Sequence, residues 1–353
     1  MKAVAITQYV GSIASLVVSS IPSPEPKFNE LLVQITHSGL NHVDLLYARG
    51  LHQNNHSGLV SPPFVLGLEF AGIVLSSPTD SRFAVGDKVW GAAQGGFAER
   101  ICVPESAVQK LPRGWTPAHA AGVGAATAPV SYGALVRVAE LKAGETVLVH
   151  AAAGGLGVVA CQIGKALGAR VIGTVGSEGK AEVMRGLGAD VVRYDREGWE
   201  KEILNMTKGQ GVDVVYDTVG LVQKSIRCLR FGGRVVVAGF AGLEGKMEEV
   251  AMNRVLLKGA KVLGYVSIAF RYITQANMKQ RFGESGRRDP KETPAIWKGL
   301  NEMLERNEIS PIVYKTYQGL EAVPTAMQEL ADRKVYGKAV VHISDEEASQ
   351  SKL

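Results

Sequence analysis

The period of the apolar positions changes near residue 117. Before that point they form short, closely spaced runs rich in β-branched residues: 2–7 (KAVAIT), 31–38 (LLVQITHS), 67–74 (GLEFAGIV), 86–90 (GDKVW) and 96–103 (GFAERICV). Runs of this kind, bounded by Gly, Pro and polar turns, predict an all-β, barrel-type unit. Only 41–50 (NHVDLLYARG) reads as a short helix or turn within it. Residues 117–139, rich in Ala and Gly, predict close-packed helices. Beyond them strands and helices alternate: strand 146–150, then Arg170–Val175, helix 178–187, strand Asp190–Arg193, helix 197–207, strand 212–216, helix 222–230 and strand 234–238. That βαβα rhythm predicts an open, doubly wound parallel sheet with helices on both faces. Residues 261–266 add a last strand. Helices at 294–305 and 320–332 and strand Lys338–His342 follow, so the fold class is α/β with two units.

The chain is organised around 145–168, ETVLVHAAAGGLGVVACQIGKALG. A buried-type strand leads into Gly154-Gly155-Leu156-Gly157, and Val158, Val159, Ile163 and Leu167 then recur at helical spacing up to Gly168. Strand, glycine turn, helix is the context that separates a dinucleotide fingerprint from a chance cluster of glycines. Glycines let the backbone approach a pyrophosphate, whose charge sits where the helix N-terminal N–H groups point outward.

Bulk properties narrow the class. Of 353 residues, 46% are apolar and 21% charged, which suits an ordinary globular chain with a sizeable core. The formal charge of +5 is mild at this length and fits an anionic cofactor as well as a nucleic acid. No apolar run is long enough to span a membrane, and the first residues read as a strand and turn rather than a secretory signal. The three cysteines, Cys102, Cys161 and Cys228, are scattered, which predicts reduced thiols and no zinc pattern.

At this point the residues resemble a known family. The landmarks are Asn41-His42-Val43-Asp44, Gly67-Leu68-Glu69-Phe70-Ala71-Gly72, Ala125-Ala126-Thr127-Ala128 leading to Ser131-Tyr132-Gly133-Ala134-Leu135, Ala153-Gly154-Gly155-Leu156-Gly157, Asp217-Thr218-Val219-Gly220, and Ala331-Asp332-Arg333-Lys334 before Gly337-Lys338. In this order and spacing the chain resembles the zinc-independent medium-chain dehydrogenases/reductases of the NADPH:quinone oxidoreductase (ζ-crystallin-like) group. The resemblance implies a GroES-like β-barrel-type catalytic domain over 1–123 and 267–353, and a Rossmann NADPH-binding domain over 124–266. Zinc-dependent relatives carry a Cys near position 41 and a His after the glycine of the Gly-x-Glu motif; this chain has Asn41 and Leu68. Two soft ligands are therefore missing, and no zinc is expected. His37, His42, Asp44 and Glu69 are the alternative ligand set in that neighbourhood, with Glu69 favoured as a structural carboxylate.

The strand that ends Thr174-Val175-Gly176-Ser177 carries no acid at its tip, where an NAD-type site places an Asp or Glu for the ribose hydroxyls. Ser177, Lys180 and Tyr194 offer a hydroxyl, an ammonium and a phenol suited to a 2′-phosphate, and the resemblance assigns them that role. NADPH is thus expected over NADH. Glu178 is the contrary residue, read as an outward-facing acid at the start of its helix. The resemblance further implies cofactor contacts at Asn41, Thr127, Gly154, Gly155, Leu156, Gly157, Gly220, Gly239, Phe240, Tyr265, Val266 and Lys338.

Without zinc, the expected reaction is hydride transfer to a small-molecule electron acceptor, a quinone or an α,β-unsaturated carbonyl. Tyr47 is the candidate proton donor, with packing as its competing role. His52, His56, Arg271 and Tyr272 are candidate rim residues. The basic stretch 270–293 suggests either an anionic substrate such as a CoA thioester or a surface excursion. The rival functions are a 2-enoyl-thioester reductase and a non-catalytic crystallin-like or RNA-binding protein; scattered Lys and Arg without interleaved aromatics argue against nucleic acid. A homodimer is implied by the family, with edge strand 261–266 as the pairing candidate. The final Ser351-Lys352-Leu353 reads as a peroxisomal address recognised by an import receptor, with a cytoplasmic location otherwise.

Overall fold

The computed structural model describes residues 1–56, 58–243, 248–265 and 292–346. In chain order the strands and helices are β1 (Lys2–Ile6), β2 (Val18–Ser20), β3 (Glu30–Gly39), α1 (His42–Arg49), α2 (Gln53–His56), β4 (Phe64–Val65), β5 (Glu69–Ser76), β6 (Lys88–Ala92), β7 (Arg100–Pro104), β8 (Val108–Lys110) and α3 (Pro117–Val123). Next come α4 (Ala128–Tyr132), β9 (Thr146–Val149), α5 (Gly155–Ala166), β10 (Arg170–Val175), α6 (Glu178–Gly186), β11 (Asp190–Arg193), α7 (Trp199–Met206), β12 (Val212–Asp217), α8 (Val222–Cys228), β13 (Leu229–Val237), α9 (Met252–Lys258) and β14 (Lys261–Gly264). The chain closes through α10 (Glu292–Glu305), β15 (Val313–Gln318), α11 (Val323–Ala331) and β16 (Lys338–His342). Two compact units result, residues 1–126 with 311–346 and residues 127–265 with 292–310.

The first unit is built on β3. It pairs antiparallel with β16, β5 and β7 inside a seven-stranded sheet of order β15-β16-β3-β5-β6-β8. Alternation places Leu31, Val33 and Ile35 of β3 with Phe70, Val74, Val89, Ile101 and Val103 in one core. A second core gathers Leu40, Leu66, Phe97, Ala339 and Val341 with Val323, Ala326 and Met327 of α11. The register sets Val340 opposite Gly39, which brings the start of β16 beside the end of β3.

The second unit is a six-stranded parallel sheet of order β11-β10-β9-β12-β13-β14, the doubly wound arrangement expected from the alternation. Val147, Leu148, Ile172, Val192, Val215 and Val235 are buried along its strands, as near-continuous apolar runs in a covered parallel sheet require. The strand order reverses between β9 and β12, so the carboxyl ends of β9, β10, β12 and β13 frame the site where such folds bind nucleotides.

Several boundaries differ from the sequence reading. Residues 292–310 belong to the second unit, whereas 267–353 had been assigned as a block to the first. The reason is the apolar stripe of α10: Ile296, Leu300, Met303 and Leu304 are buried, and Tyr132 of α4 lies against Gly299. Helix α9 and strand β15 went unanticipated, because α9 buries none of its residues and β15 shows no alternation. Of the expected strand 261–266, Lys261–Gly264 is strand; Val266, Arg271, Tyr272, most of 270–293, and Ser351-Lys352-Leu353 lie outside the described residues.

Candidate functional site

In the second unit the glycine loop has the form its sequence implies. Gly154 caps α5, which begins at Gly155, and the Gly154 N–H donates to Ala151 O at 2.8 Å. Ala151 sits at φ 48, a left-handed conformation that a non-glycine residue holds only when its surroundings fix it. A Cβ on Gly157 would fall within 2.5 Å of Ala152 O and collide with Ala151 O as well, so α5 packs onto the turn only because position 157 has no side chain. Ser131 of α4 donates to Leu156 O at 2.9 Å and holds the turn from the other side. The first N–H groups of this 12-residue helix lie beyond the reach of intrahelical acceptors. The cradle fits a pyrophosphate.

At the tip of β10, Ser177 caps α6 by accepting from the Lys180 N–H at 3.4 Å. Tyr194 follows β11, its N–H donates to Val175 O at 3.1 Å, and its phenol lies over Gly176. Ser177, Lys180 and Tyr194 are therefore gathered at one corner. Glu178 is turned away from it: Arg185 donates to its carboxylate at 2.7 Å and Arg193 at 3.1 Å. These two guanidiniums hold the Glu178 carboxyl below the usual glutamate range, and Arg193 also pairs with Asp195, the acid that follows Tyr194.

The loop after β12 is organised by buried Asp217. Its Oδ1 accepts from the N–H groups of Val219 and Gly220 at 2.9 and 3.0 Å, and its Oδ2 from Leu221 N–H at 2.6 Å. Gly220, at φ +87, abuts Leu243 and has no room for a Cβ, while Gly239 packs on Thr218 O. The Gly239-Phe240 turn after β13 thus leans on the β12 loop, with Ala241 N–H donating to Thr218 O at 3.1 Å. Thr127 is buried at the start of α4. Tyr265 is 7% exposed, and its hydroxyl donates to Pro129 O at 3.4 Å beside Gly133. Its side chain packs on α4 rather than standing open to a ligand.

The first unit holds a buried polar knot. Lys338 and Glu69, each 1% exposed, form an ion pair, and the Lys338 ammonium also donates to Asn41 Oδ1 at 2.8 Å. Asn41 Nδ2 donates to Glu69 Oε1 at 3.0 Å, and Ala126 N–H to Glu69 Oε2 at 2.8 Å. A capping box ties Asn41 into α1, its N–H donating to Asp44 Oδ2 at 2.8 Å. Asp44 is fully buried and its Oδ1 has no partner among the described residues. Burial pushes the Asp44 carboxyl up to about 8 against the Asn41 N–H; the Glu69 charge adds to the rise and Lys338 opposes it.

This knot occupies the neighbourhood of the alternative ligand set His37, His42, Asp44 and Glu69. The Glu69 carboxylate accepts from an ammonium and two N–H donors, and the Lys338 charge beside it opposes a second cation. His37 pairs with His342 across the strands, with ring centroids 4.8 Å apart, and His42 is exposed at the start of α1. Among the described residues no three of His, Cys, Asp or Glu gather as a metal site. Lys338 itself, expected as a cofactor contact, pairs with Glu69 and donates to Asn41 inside the unit.

Tyr47, the candidate proton donor, belongs to the core. It is 0% exposed, its hydroxyl accepts from Asn54 Nδ2 at 2.7 Å, and its ring stacks on His52 at 4.5 Å and meets Phe64 edge-on. Burial drives its hydroxyl far above the usual phenol range. With no exposed surface and its hydroxyl held by Asn54, Tyr47 packs in the core of the first unit. His52 is the stacking partner and His56 ends α2. No helix among the described residues is long and apolar enough to cross a membrane.

The comparisons agree with this geometry. Residues 27–113 match the model of the alcohol dehydrogenase GroES-like domain, and residues 155–280 that of the zinc-binding dehydrogenases. A quinone oxidoreductase of Pseudomonas aeruginosa is 33% identical over 323 residues, covering 90% of this chain and 92% of that one. Among solved structures, a mycobacterial protein complexed with NADPH superposes with TM-score 0.80 at 28% identity, over 97% of this chain and all of that one. The JamJ enoyl reductase superposes with TM-score 0.81 at 25% identity, over 98% of this chain and all of that one.

Proposed function

The chain belongs to the quinone oxidoreductase family of the medium-chain dehydrogenases/reductases, and on that premise we propose that it is an NADPH-dependent, zinc-independent reductase of a quinone or α,β-unsaturated carbonyl. The observation that carries the cofactor choice is the β10 tip. Glu178 is engaged by Arg185 and Arg193, and Ser177, Lys180 and Tyr194 offer a hydroxyl, an ammonium and a phenol suited to a 2′-phosphate. Support also comes from the related mycobacterial protein, which was solved with NADPH. Bound NADPH supplies a hydride, two electrons, to the acceptor. The glycine loop holds the pyrophosphate, and Asp217 fixes the backbone around Gly220. Reduction also consumes one proton; with Tyr47 buried, we assign its delivery to solvent.

Lys180→Ala is expected to raise the Kd for NADPH at least about tenfold and to change that for NADH less than about twofold, since one charge-assisted phosphate contact is lost. Equal changes for both, measured by fluorescence titration, contradict the 2′-phosphate assignment. A second reading, reduction of a 2-enoyl thioester, is favoured by the likeness to the JamJ enoyl reductase. NADPH consumption with a naphthoquinone, a small enone and a crotonyl-type CoA thioester separates the two. Turnover confined to the thioester moves the protein to the second reading.

We propose self-association through the sheet edge at β14. Val262 of that strand, Met252, Leu256 and Leu257 of α9, and Phe231 beside Gly259 are all exposed. Such an apolar cluster beside the strand that ends the sheet among the described residues supports self-pairing there. Sedimentation should show a dimer that Leu256→Glu converts to monomer; a monomeric parent chain refutes it. Where Ser351-Lys352-Leu353 closes the chain, we propose import into peroxisomes, tested by whether its removal leaves the protein in the cytosol.

A further inference from the structure

Behind the glycine loop, where no cofactor contact was expected, lies a directed chain of buried hydrogen bonds centred on His150. This residue follows β9 directly, is 0% exposed, and donates its backbone N–H to Tyr216 O at 3.0 Å. Its Nδ1 lies 3.1 Å from Thr174 Oγ1 on β10, and its Nε2 lies 2.9 Å from Ser225 Oγ on α8. Ser225 Oγ donates to Leu221 O at 2.7 Å. A hydroxyl has one proton, so with the Ser225 proton donated to Leu221 O the tautomer that completes the chain carries its proton on Nε2 and donates it to Ser225. Burial favours the neutral imidazole, with Asp217 opposing, so Nδ1 is an acceptor and Thr174 Oγ1–H donates to it. Trp199 closes the pocket edge-on at 5.6 Å.

Both ends of this chain reach the nucleotide cradle. Thr174 accepts the Ala152 N–H on its backbone oxygen at 3.0 Å, inside the glycine loop, and stands three residues before Ser177. Leu221, at the other end, donates its N–H to Asp217, whose carboxylate also fixes Gly220. The residue after His150 is Ala151, held at φ 48, and strain of that kind persists only where neighbours over-determine the backbone.

We propose that His150 is a positioning residue for dinucleotide binding, a strut that fixes the glycine loop, the β10 tip and the Gly220 loop in one arrangement without touching the ligand. The proposal rests on the reading that this unit binds a dinucleotide. Because the strut lies behind the loops and not at the 2′-phosphate corner, it serves NADPH and NADH alike, unlike Lys180.

His150→Phe, Thr174→Val and Ser225→Ala test it, with Kd values for both nucleotides measured on protein whose folding is verified by circular dichroism. Each variant is expected to raise both Kd values by the same factor, about tenfold for His150→Phe, while kcat at saturating NADPH stays within about twofold. Ser225→Ala added to His150→Phe should cost little more, because both cut one network. Folded variants with lowered Tm but unchanged Kd overturn the proposal, as does a change confined to NADPH. Should His150→Phe not fold, Thr174→Val, nearly isosteric, decides on the same criteria. A parent chain that binds neither nucleotide overturns the dinucleotide reading itself; a parent that binds beside unaltered variants overturns only the His150 assignment.

Discussion

Replacing Lys338 by Met is expected to destabilise the first unit by about 3–5 kcal/mol, the usual cost of breaking a buried ion pair from one side. The Lys338 ammonium and Glu69 carboxylate are each 1% exposed, so solvent does little to screen either charge left alone. Without the ammonium, Glu69 keeps only the Asn41 Nδ2 and Ala126 N–H donors. For a unit of this size the loss corresponds to a fall of about 10 °C in its Tm. Adding Glu69→Gln removes the stranded charge and should restore most of the loss. Thermal unfolding of the single and double variants gives the answer. The alternative role, a direct contact to the cofactor, foresees the reverse: an unchanged Tm with a raised Kd for NADPH.

The second large effect is on pH dependence. Burial lifts the Asp44 carboxyl from 3.8 to about 8, so between those values the folded state binds one more proton than the unfolded, and stability falls as pH rises. Burial holds His37 and His52 down at about 4 against 6.5 unfolded, with His342 adding to the first shift and His56 to the second. Between 4 and 6.5 the unfolded state therefore binds up to two more protons at these histidines, and stability falls as pH drops. Burial lowers His42 and His150 as well and adds to the acid limb; the two effects oppose each other below about 6.5, where the histidines outweigh Asp44, and above it the histidine contribution fades and Asp44 dominates. Stability should peak near pH 6.5 and decline by about 2 kcal/mol up to pH 8. Asp44→Asn should remove the alkaline decline and leave the acid limb. Denaturant unfolding at several pH values tests this; a variant with the parent's slope above 6.5 contradicts it.

What was legible in the sequence was whatever local spacing dictates. The strand–glycine–helix run from Thr146 to Ala166 and the βαβα alternation gave the parallel sheet and the cradle in the correct order. The β10 tip was legible for the same reason, since Ser177 and Tyr194 follow the ends of β10 and β11 and Lys180 lies in the first turn of α6. Pairings between distant residues were not. Lys338 and Glu69 are 269 positions apart, so nothing local marks that lysine as the buried partner of a carboxylate. Tyr47 stood out because it lies near Asn41 and a phenol can hydrogen-bond a carbonyl; only the fold shows Asn54 and His52 enclosing it. His150 read as the last residue of a strand, and its role emerges only once β10 and α8 supply Thr174 and Ser225.

The central claim is hydride transfer from NADPH without a metal. Its most direct test is the initial rate of naphthoquinone reduction by the chelator-treated, dialysed protein, with NADPH and with NADH at equal concentration. The expected result is full activity after chelation and a strong preference for NADPH. No turnover with NADPH, or activity restored only by added zinc, would contradict the account.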